Sequence, residues 1–187
     1  SAELLERLGD ELVPVAKEGG KELWFYDASG RAKTLSCPGL YRWRFWYAWN
    51  MGFTGAGWWT YAHHGPTRWD GPNETNDFFA TVYEGSNGPV ASKRWEVARE
   101  GIEDYEYLYL LRQGIDDARA RGVSEERLAD ARELLAKIPV EMAEVLLQAG
   151  RRLPLTPDSV PLYKEVTRRV DEARARIVAM CLDVAKR

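Results

Sequence analysis

Aromatic and polar side chains lie close together over residues 58–70, and their types suit the binding of a flat ligand with polar edges. The members of this set are Trp58, Trp59, Tyr61, His63, His64, Arg68, Trp69 and Asp70. Sugars present C–H faces that pack on aromatic rings and hydroxyl edges that bond to charged or imidazole groups. The segment therefore predicts a contact site for carbohydrate.

Strand alternation decides which of these rings can share a surface. If residues 55–62 form a strand, Trp58 and Trp59 point to opposite faces, whereas Trp59, Tyr61 and His63 share one face. We favour that second set as ligand contacts and expect Trp58 to pack under a helix. Trp69 falls in a loop, where an aromatic side chain has less reason to serve packing. The alternative is that all these rings belong to the hydrophobic core.

A metal site is not expected from the two histidines. Adjacent histidines at a strand end seldom converge on one ion, and no third ligand stands at a suitable spacing. The two cysteines, Cys37 and Cys181, are too few and too far apart for a disulfide framework or a zinc site. No cofactor-binding motif stands out either.

Charge and hydropathy exclude two classes of partner. The 26 basic and 29 acidic residues are spread along the 187-residue chain and give a net charge of −3, which does not favour nucleic acid. No apolar run approaches the roughly 20 residues of a membrane span. The hydrophobic content of 45% is enough for one sizeable core.

The first half of the chain reads as alternating helices and strands. Helices are predicted over 3–18 and 40–51, and strands over 23–26, 55–62 and 78–83, with a polar loop over 63–77. The run Leu23–Tyr26 is wholly apolar, which predicts a strand buried on both faces. This alternation is typical of repeated βα units and a parallel sheet.

The second half is predicted to be helical. Apolar residues recur at helical spacing from Ser92 to an end near Gly114, from Ser124 onward with a kink at Pro139, and from about Pro161. The last two helices are expected to pack on each other as a hairpin, with dimerisation as the alternative use of their apolar stripes. We accordingly divide the chain into residues 1–114, a βα portion, and 115–187, a helical tail.

Three segments together carry a family resemblance: residues 41–52 (YRWRFWYAWNMG), 55–59 (GAGWW) and 92–108 (SKRWEVAREGIEDYEYL). In order and spacing they resemble the C-terminal part of the catalytic region of the glycoside hydrolase family 123-like group, also catalogued as domain of unknown function 4091. The resemblance covers roughly residues 20–112. The tail beyond about 120 matches no motif of that group.

The resemblance implies an α/β fold, the C-terminal part of a (β/α)8 TIM-like barrel with about three βα units, followed by the helical hairpin. It implies hydrolysis of N-acetylhexosaminides, with the substrate's acetamido group as nucleophile and an Asp-Glu pair upstream of this chain. The catalytic pair is then absent here. The alternative function is a non-catalytic carbohydrate-binding or scaffolding module.

Barrel enzymes place their sites at the C-terminal ends of strands, which adds Tyr26 and Asp27 to the candidate contacts. Three βα units alone leave open sheet edges. The expected partners are therefore a carbohydrate substrate and either the missing N-terminal barrel portion or a second copy. The compartment is not identified by the sequence, and family analogy points to a secreted or periplasmic one.

The pair Glu103-Asp104 looks like a catalytic carboxylate pair, but its position in a helix favours a structural role. Arg99 lies four residues before Glu103, the spacing of an ion pair on a helix surface. Neighbouring helical residues also point in different directions. We expect this pair, together with Arg94, to tie the last helix of the barrel portion, on which it lies, to the barrel.

Overall fold

A computed structural model of the chain describes residues 11–27, 38–59, 61–62, 80–152 and 157–187. Its elements, in chain order, are α1 (11–18), β1 (Trp24–Asp27), a π-helical turn (Pro38–Arg42), α2 (Trp43–Met51), β2 (Gly55–Trp58), β3 (Val82–Gly85), β4 (Gly88–Ala91), α3 (Lys93–Ala120), α4 (Glu125–Arg152), a short 3-10 turn (Pro157–Ser159) and α5 (Val160–Lys186).

One strand–helix–strand unit is present. β1 and β2 pair in parallel, with Trp24 opposite Gly55 and Tyr26 opposite Gly57, and the π-helical turn and α2 lie between them in the chain. Parallel strands need such a crossover connection. α2 ends at Gly52, whose positive φ of 69° is the left-handed conformation that glycine adopts most easily. The predicted end of this helix is confirmed.

The next two strands do not extend that sheet. β3 and β4 pair with each other as an antiparallel hairpin, so Val82 and Tyr83 do not begin a further βα unit. The strand predicted over 78–83 is observed at 82–85, and it is followed by a two-residue turn at 86–87 and by β4. A tight hairpin returns the chain at once and leaves no room for a crossover helix.

Most of the described chain is helical, and three long helices dominate it. Their apolar stripes meet in one core cluster, in which Leu108 and Leu111 of α3, Leu128 and Leu146 of α4 and Ile177 of α5 are fully buried. The three helices predicted for this half are confirmed, except that α3 continues past Gly114 to Ala120; the kink at Pro139, which lies inside α4, stays a prediction. Burial of Ile115 and Ala118 maintains the helix beyond the glycine.

The prediction of a TIM-like barrel fragment is wrong for the described residues. They contain two separate two-stranded sheets, one parallel and one antiparallel, and not a run of three parallel βα units. The aromatic-rich strand and helix segments pack instead against α3 and α4. Phe25, Trp43 and Trp46 belong to the same core cluster as Ile177 and Val184.

The predicted boundary between residues 114 and 115 falls inside α3. Residues on both sides of it contribute to the shared core, so the described chain packs as one unit. Within the described part of the chain, no helix combines the length and the apolar character that crossing a bilayer requires.

Candidate functional site

The most distinctive surface of the described residues is the outer face of the parallel sheet. Trp24 and Tyr26 alternate on β1 and are 72% and 59% exposed, while Phe25 between them is 3% exposed and faces the core. The prediction that this strand is buried on both faces is therefore wrong. An apolar run of four residues cannot reveal by itself which of its side chains stay exposed.

Glycines on β2 shape this face. Gly55 is paired with Trp24, whose indole lies so close that a Cβ built at Gly55 would stand 2.5 Å from ring atom Cδ2. Gly57 is paired with Tyr26, and its Cβ would meet Tyr26 Cδ2 at an ordinary 3.5 Å. The Gly-Ala-Gly sequence thus lets the Trp24 ring lie over the bare backbone of the neighbouring strand.

Trp58 and Trp59 separate at the end of β2. Trp58 packs inward, with its ring edge-on to Tyr41 at 6.2 Å and to Phe45 at 6.4 Å between centroids. Trp59, the next residue, is 46% exposed. Three aromatic side chains, Trp24, Tyr26 and Trp59, are therefore solvent-accessible on or beside this small sheet, and we call these three the aromatic face.

Tyr61 contacts the start of α3 instead of standing free. Its ring meets that of Trp95 edge-on at 5.5 Å between centroids, although the side chain is 53% exposed. Its carbonyl oxygen accepts hydrogen bonds from the backbone N–H groups of Thr81 and Val82 at 3.1 and 2.9 Å. Tyr61 therefore anchors the beginning of the β3–β4 hairpin.

The remaining predicted contacts cannot be assigned to this surface. His63, His64, Arg68, Trp69 and Asp70 lie outside the described residues. Asp27 is the last residue of β1, directly after Tyr26. The sequence reasoning named Tyr26 but missed Trp24, which the i, i+2 spacing on β1 and the matching Gly-x-Gly on β2 could have indicated.

Polar groups lie next to the aromatic face. The Glu22 carboxylate accepts a hydrogen bond from Trp24 Nε1 at 3.4 Å, and Glu22 is itself exposed. A carboxylate and a phenol hydroxyl beside exposed rings offer hydrogen-bond acceptors and a donor to the edge of a bound ring. The arrangement can hold a ligand that has both an apolar face and hydroxyl groups.

A second polar centre is buried and has a different character. Asp104 on α3 is 1% exposed and accepts hydrogen bonds from Arg42 Nε at 2.6 Å, from Trp46 Nε1 at 2.9 Å and from Arg174 Nε at 2.6 Å. Arg42 also bonds to Asp171 of α5 at 2.8 Å. These contacts join the π-helical turn, α2, α3 and α5 around one carboxylate.

The neighbouring carboxylates keep the arginine at this centre in its charged form. Burial by itself lowers the pKa of Arg42, but the hydrogen bonds and charges of Asp104 and Asp171 outweigh burial and raise that pKa above its usual value. The guanidinium group therefore stays protonated at any physiological pH. A carboxylate that accepts several charge-assisted bonds in the core is suited to holding elements together.

The expected structural role of Glu103 and Asp104 is confirmed, with the predicted partner for Glu103 but not the predicted contribution of Arg94. Arg99 forms the predicted ion pair with Glu103. Arg94, however, is buried and donates to the carbonyl oxygen of Ala80 at 3.4 Å, at the start of the hairpin. Arg42 and Arg174 take the tying role because they stand where the π-helical turn and α5 cross α3.

Among the described residues, no group of three or more histidine, cysteine, aspartate or glutamate side chains is arranged to hold a metal ion. Comparison of the sequence with protein-family models and with curated proteins gives no match.

Proposed function

We propose that this chain binds carbohydrate through the aromatic face formed by Trp24, Tyr26 and Trp59. We further propose that it does so as the substrate-binding, non-catalytic portion of a glycoside hydrolase that acts on N-acetylhexosaminides. The first statement rests on the geometry of the β1–β2 sheet. The second rests on the resemblance of residues 41–52, 55–59 and 92–108 to the family 123-like group, and it does not require a barrel in this chain.

The observation that carries the proposal is the exposure of two large rings on one strand, above glycines. Side chains at i and i+2 of a strand lie about 7 Å apart, so Trp24 and Tyr26 can contact neighbouring parts of one ligand. Adjacent exposed apolar side chains that form one patch beside polar groups are typical of interaction and ligand-binding surfaces, whereas single exposed rings are not. The Glu22 carboxylate beside Trp24 supplies an acceptor for ligand hydroxyl groups.

We assign no catalytic acid/base pair to this chain because Asp104 and Glu103, the two carboxylates that most resemble one, are already engaged by other side chains. Asp104 is enclosed by two arginines and a tryptophan, and Glu103 pairs with Arg99. Neither carboxylate lies on the aromatic face. Glycosidases need two carboxyl groups on either side of the scissile bond. We therefore expect hydrolysis to require carboxylates that these residues do not provide.

The test is a calorimetric titration of the chain with N-acetylgalactosamine, N-acetylglucosamine and their short oligosaccharides. Glucose, which lacks the acetamido group, serves as the ligand control. We expect saturable binding that Trp24→Ala and Tyr26→Ala each weaken about tenfold, because each removes a ring contact. Tyr109→Ala, which removes an exposed aromatic side chain from α3, should leave the affinity unchanged.

If all three variants bound the sugars as tightly as the parent chain does, the sugar site would not lie on the aromatic face. If the parent chain bound no sugar, the proposal would be wrong. Incubation with nitrophenyl N-acetylhexosaminides tests the non-catalytic part separately, and we expect the chain alone to release no nitrophenol. Release that is lost on substituting a carboxylate of this chain would contradict the assignment.

A scaffolding role is the rival, and one observation favours it. Parallel sheets are usually covered on both faces, whereas the described residues cover the β1–β2 sheet on one. A second copy packed on the aromatic face would satisfy that preference. Sedimentation over a range of concentrations distinguishes the two, because a dimer that Trp24→Ala dissociates would support scaffolding and a monomer would support the sugar site.

A further inference from the structure

A separate cavity opens where α2, α3 and α4 meet, away from the β1–β2 sheet. Its volume is about 350 Å³, at the lower end of the range of small-molecule pockets. Its lining combines apolar side chains, which we call the floor although Ala136 among them is exposed, with charged side chains, which we call the rim. The lining residues are Trp49, Ile115, Leu135 and Ala136 on the floor, and Arg112, Asp116, Arg119 and Arg132 around the rim.

Arg112 is held in place by aromatic rings. Its Cζ lies 4.8 Å from the centroid of the Trp49 ring and 5.1 Å from that of Tyr109. Trp49 is in turn fixed by an edge-on contact with Tyr105 at 5.3 Å. A guanidinium group whose faces contact rings still has its N–H donors directed outward in its own plane. Arg112 is thus oriented before any ligand arrives.

No carboxylate within the described part of the chain forms an ion pair with Arg112. The other two rim arginines differ in this respect. Arg119 bonds to Glu125 at 2.7 Å and approaches Asp116 at 3.4 Å, and Arg132 also pairs with Glu125. The hydrogen bond from Arg119 and the charges of both arginines lower the pKa of Glu125, so it is ionised at neutral pH.

The charges of the rim do not cancel. Among the described residues, three guanidinium groups stand against the carboxylates of Asp116 and Glu125, which leaves one positive charge, and Arg112 is the group that forms no ion pair with a described carboxylate. One negative charge on a ligand would balance the rim. Planar carboxylates fit a guanidinium group best because they accept two parallel N–H bonds.

We propose that this cavity binds a small organic monoanion, a carboxylate attached to an apolar ring. Arg112 holds the carboxylate, and the ring occupies the floor formed by Ile115, Leu135 and Ala136. The face of Trp49 is already taken by Arg112, which favours a hydrophobic ring over a sugar ring stacked on that indole. This site is independent of the aromatic face and of the proposed carbohydrate binding.

The experiment is a calorimetric titration of the full chain with benzoate and cyclohexanecarboxylate. Benzamide is the neutral analogue of benzoate, inorganic phosphate tests charge without an apolar body, and glucuronate tests a sugar acid. We expect one saturable site for the two hydrophobic carboxylates. Benzamide, phosphate and glucuronate should each bind about tenfold more weakly or not at all, because each lacks one of the two required features.

Three variants locate the binding. Arg112→Gln should weaken benzoate about tenfold or more through loss of the charge-assisted bonds. Ala136→Phe should abolish binding by filling the floor from a surface position, without removing any charge. Arg168→Gln, which removes an exposed arginine paired with Glu165 on α5, should leave binding unchanged.

The proposal is overturned if folded protein shows no saturable response to either hydrophobic carboxylate. It is also overturned if Arg112→Gln binds benzoate as well as the parent chain does. Phosphate or glucuronate binding as tightly as benzoate would overturn the hydrophobic-ring assignment and leave a general anion or sugar-acid site instead.

Discussion

At the scale of single residues, four side-chain hydrogen bonds converge on the buried Asp104. It is enclosed by Arg42, Trp46 and Arg174, and Arg42 is only 1% exposed. Removing one partner of a buried ion pair leaves the other charge uncompensated in the core. The stability of the junction between α3 and α5 therefore depends on this one carboxylate.

We predict that Asp104→Asn lowers the free energy of unfolding by about 3 kcal/mol or more. The amide keeps the shape of the side chain but loses the charge that balances Arg42. Urea denaturation measures the change. Glu96→Gln removes an exposed carboxylate from the same helix, paired with Arg99, and should change stability by less than about 0.5 kcal/mol. Equal effects of the two substitutions would refute the assigned role of Asp104.

Gly101 is a second residue whose close packing should decide how a substitution changes stability. A Cβ there would collide with the ring of Phe45 and come within 3.1 Å of Arg42 Cα. Although alanine is favoured over glycine in a helix interior, we expect Gly101→Ala to destabilise the protein by about 1–3 kcal/mol through overpacking. Thermal unfolding followed by circular dichroism measures it.

Gly114→Ala is the matched control on the same helix. Its Cβ would meet Val184 Cγ1 at an ordinary 3.5 Å. Helix propensity then dominates, and the substitution should stabilise the protein by up to about 1 kcal/mol. The same sign for both glycine variants would contradict the close approach of α3 to the π-helical turn.

At the scale of elements, the β1–β2 sheet presents its rings because β2 carries glycines opposite them. Trp24 lies on Gly55 at a distance that leaves no room for a methyl group, whereas Tyr26 leaves room at Gly57. The orientation of the Trp24 ring is therefore a property of the strand pair and not of Trp24 alone.

We predict that Gly55→Ala displaces the Trp24 ring and weakens carbohydrate binding about as much as Trp24→Ala, roughly tenfold. Gly57→Ala should leave binding close to that of the parent chain. The same calorimetric titrations measure both variants. Weaker binding in Gly57→Ala than in Gly55→Ala would mean that the close contact of Trp24 with Gly55 does not shape the site.

At the scale of the whole molecule, one core joins the aromatic-rich β1 and α2 to the three long helices α3, α4 and α5. Phe25, Trp43 and Trp46 share a cluster with Leu146 of α4 and Ile177 of α5. We predict a single cooperative unfolding transition, with coincident curves from near-UV signals, which report mainly the aromatic half, and far-UV signals, which report mainly the long helices.

Deleting residues 157–187 is a second test of whether the chain folds as one cooperative unit. The deletion would uncover the apolar sides of α3 and α4 that face α5 and would leave Arg42 without Asp171. We expect the shortened chain not to fold cooperatively. A stable, cooperatively folding product would instead show that the remaining residues form their core without α5.

The helices could be read from the sequence because their signals are local. Apolar spacing placed the stripes of α4 and α5, Gly52 marked the end of α2, and the Arg99–Glu103 pair follows from spacing alone. The end of α3 could not be placed in this way, because contacts with distant residues carry the helix past Gly114.

The pairing of the strands and the composition of the candidate sites could be predicted less well from the sequence. Four apolar residues at 23–26 indicate a strand but not which face is covered, and Val82 and Tyr83 indicate a strand but not its partner. Pairing depends on residues far along the chain, so a hairpin and a βα unit look alike at the start of β3. The resemblance of residues 41–52 to a barrel family led to the wrong architecture because a short motif does not specify how the strands around it pair.

The sequence by itself therefore determined where most of the helices lie, because helix periodicity, capping and charge spacing act between residues a few positions apart. The tertiary structure decided which faces meet: Trp24 exposed over Gly55, Asp104 between Arg42 and Arg174, and Arg112 against Trp49 at the rim of a cavity. These contacts join residues 31 to 70 positions apart. Their formation depends on how the whole core closes, which no local pattern encodes.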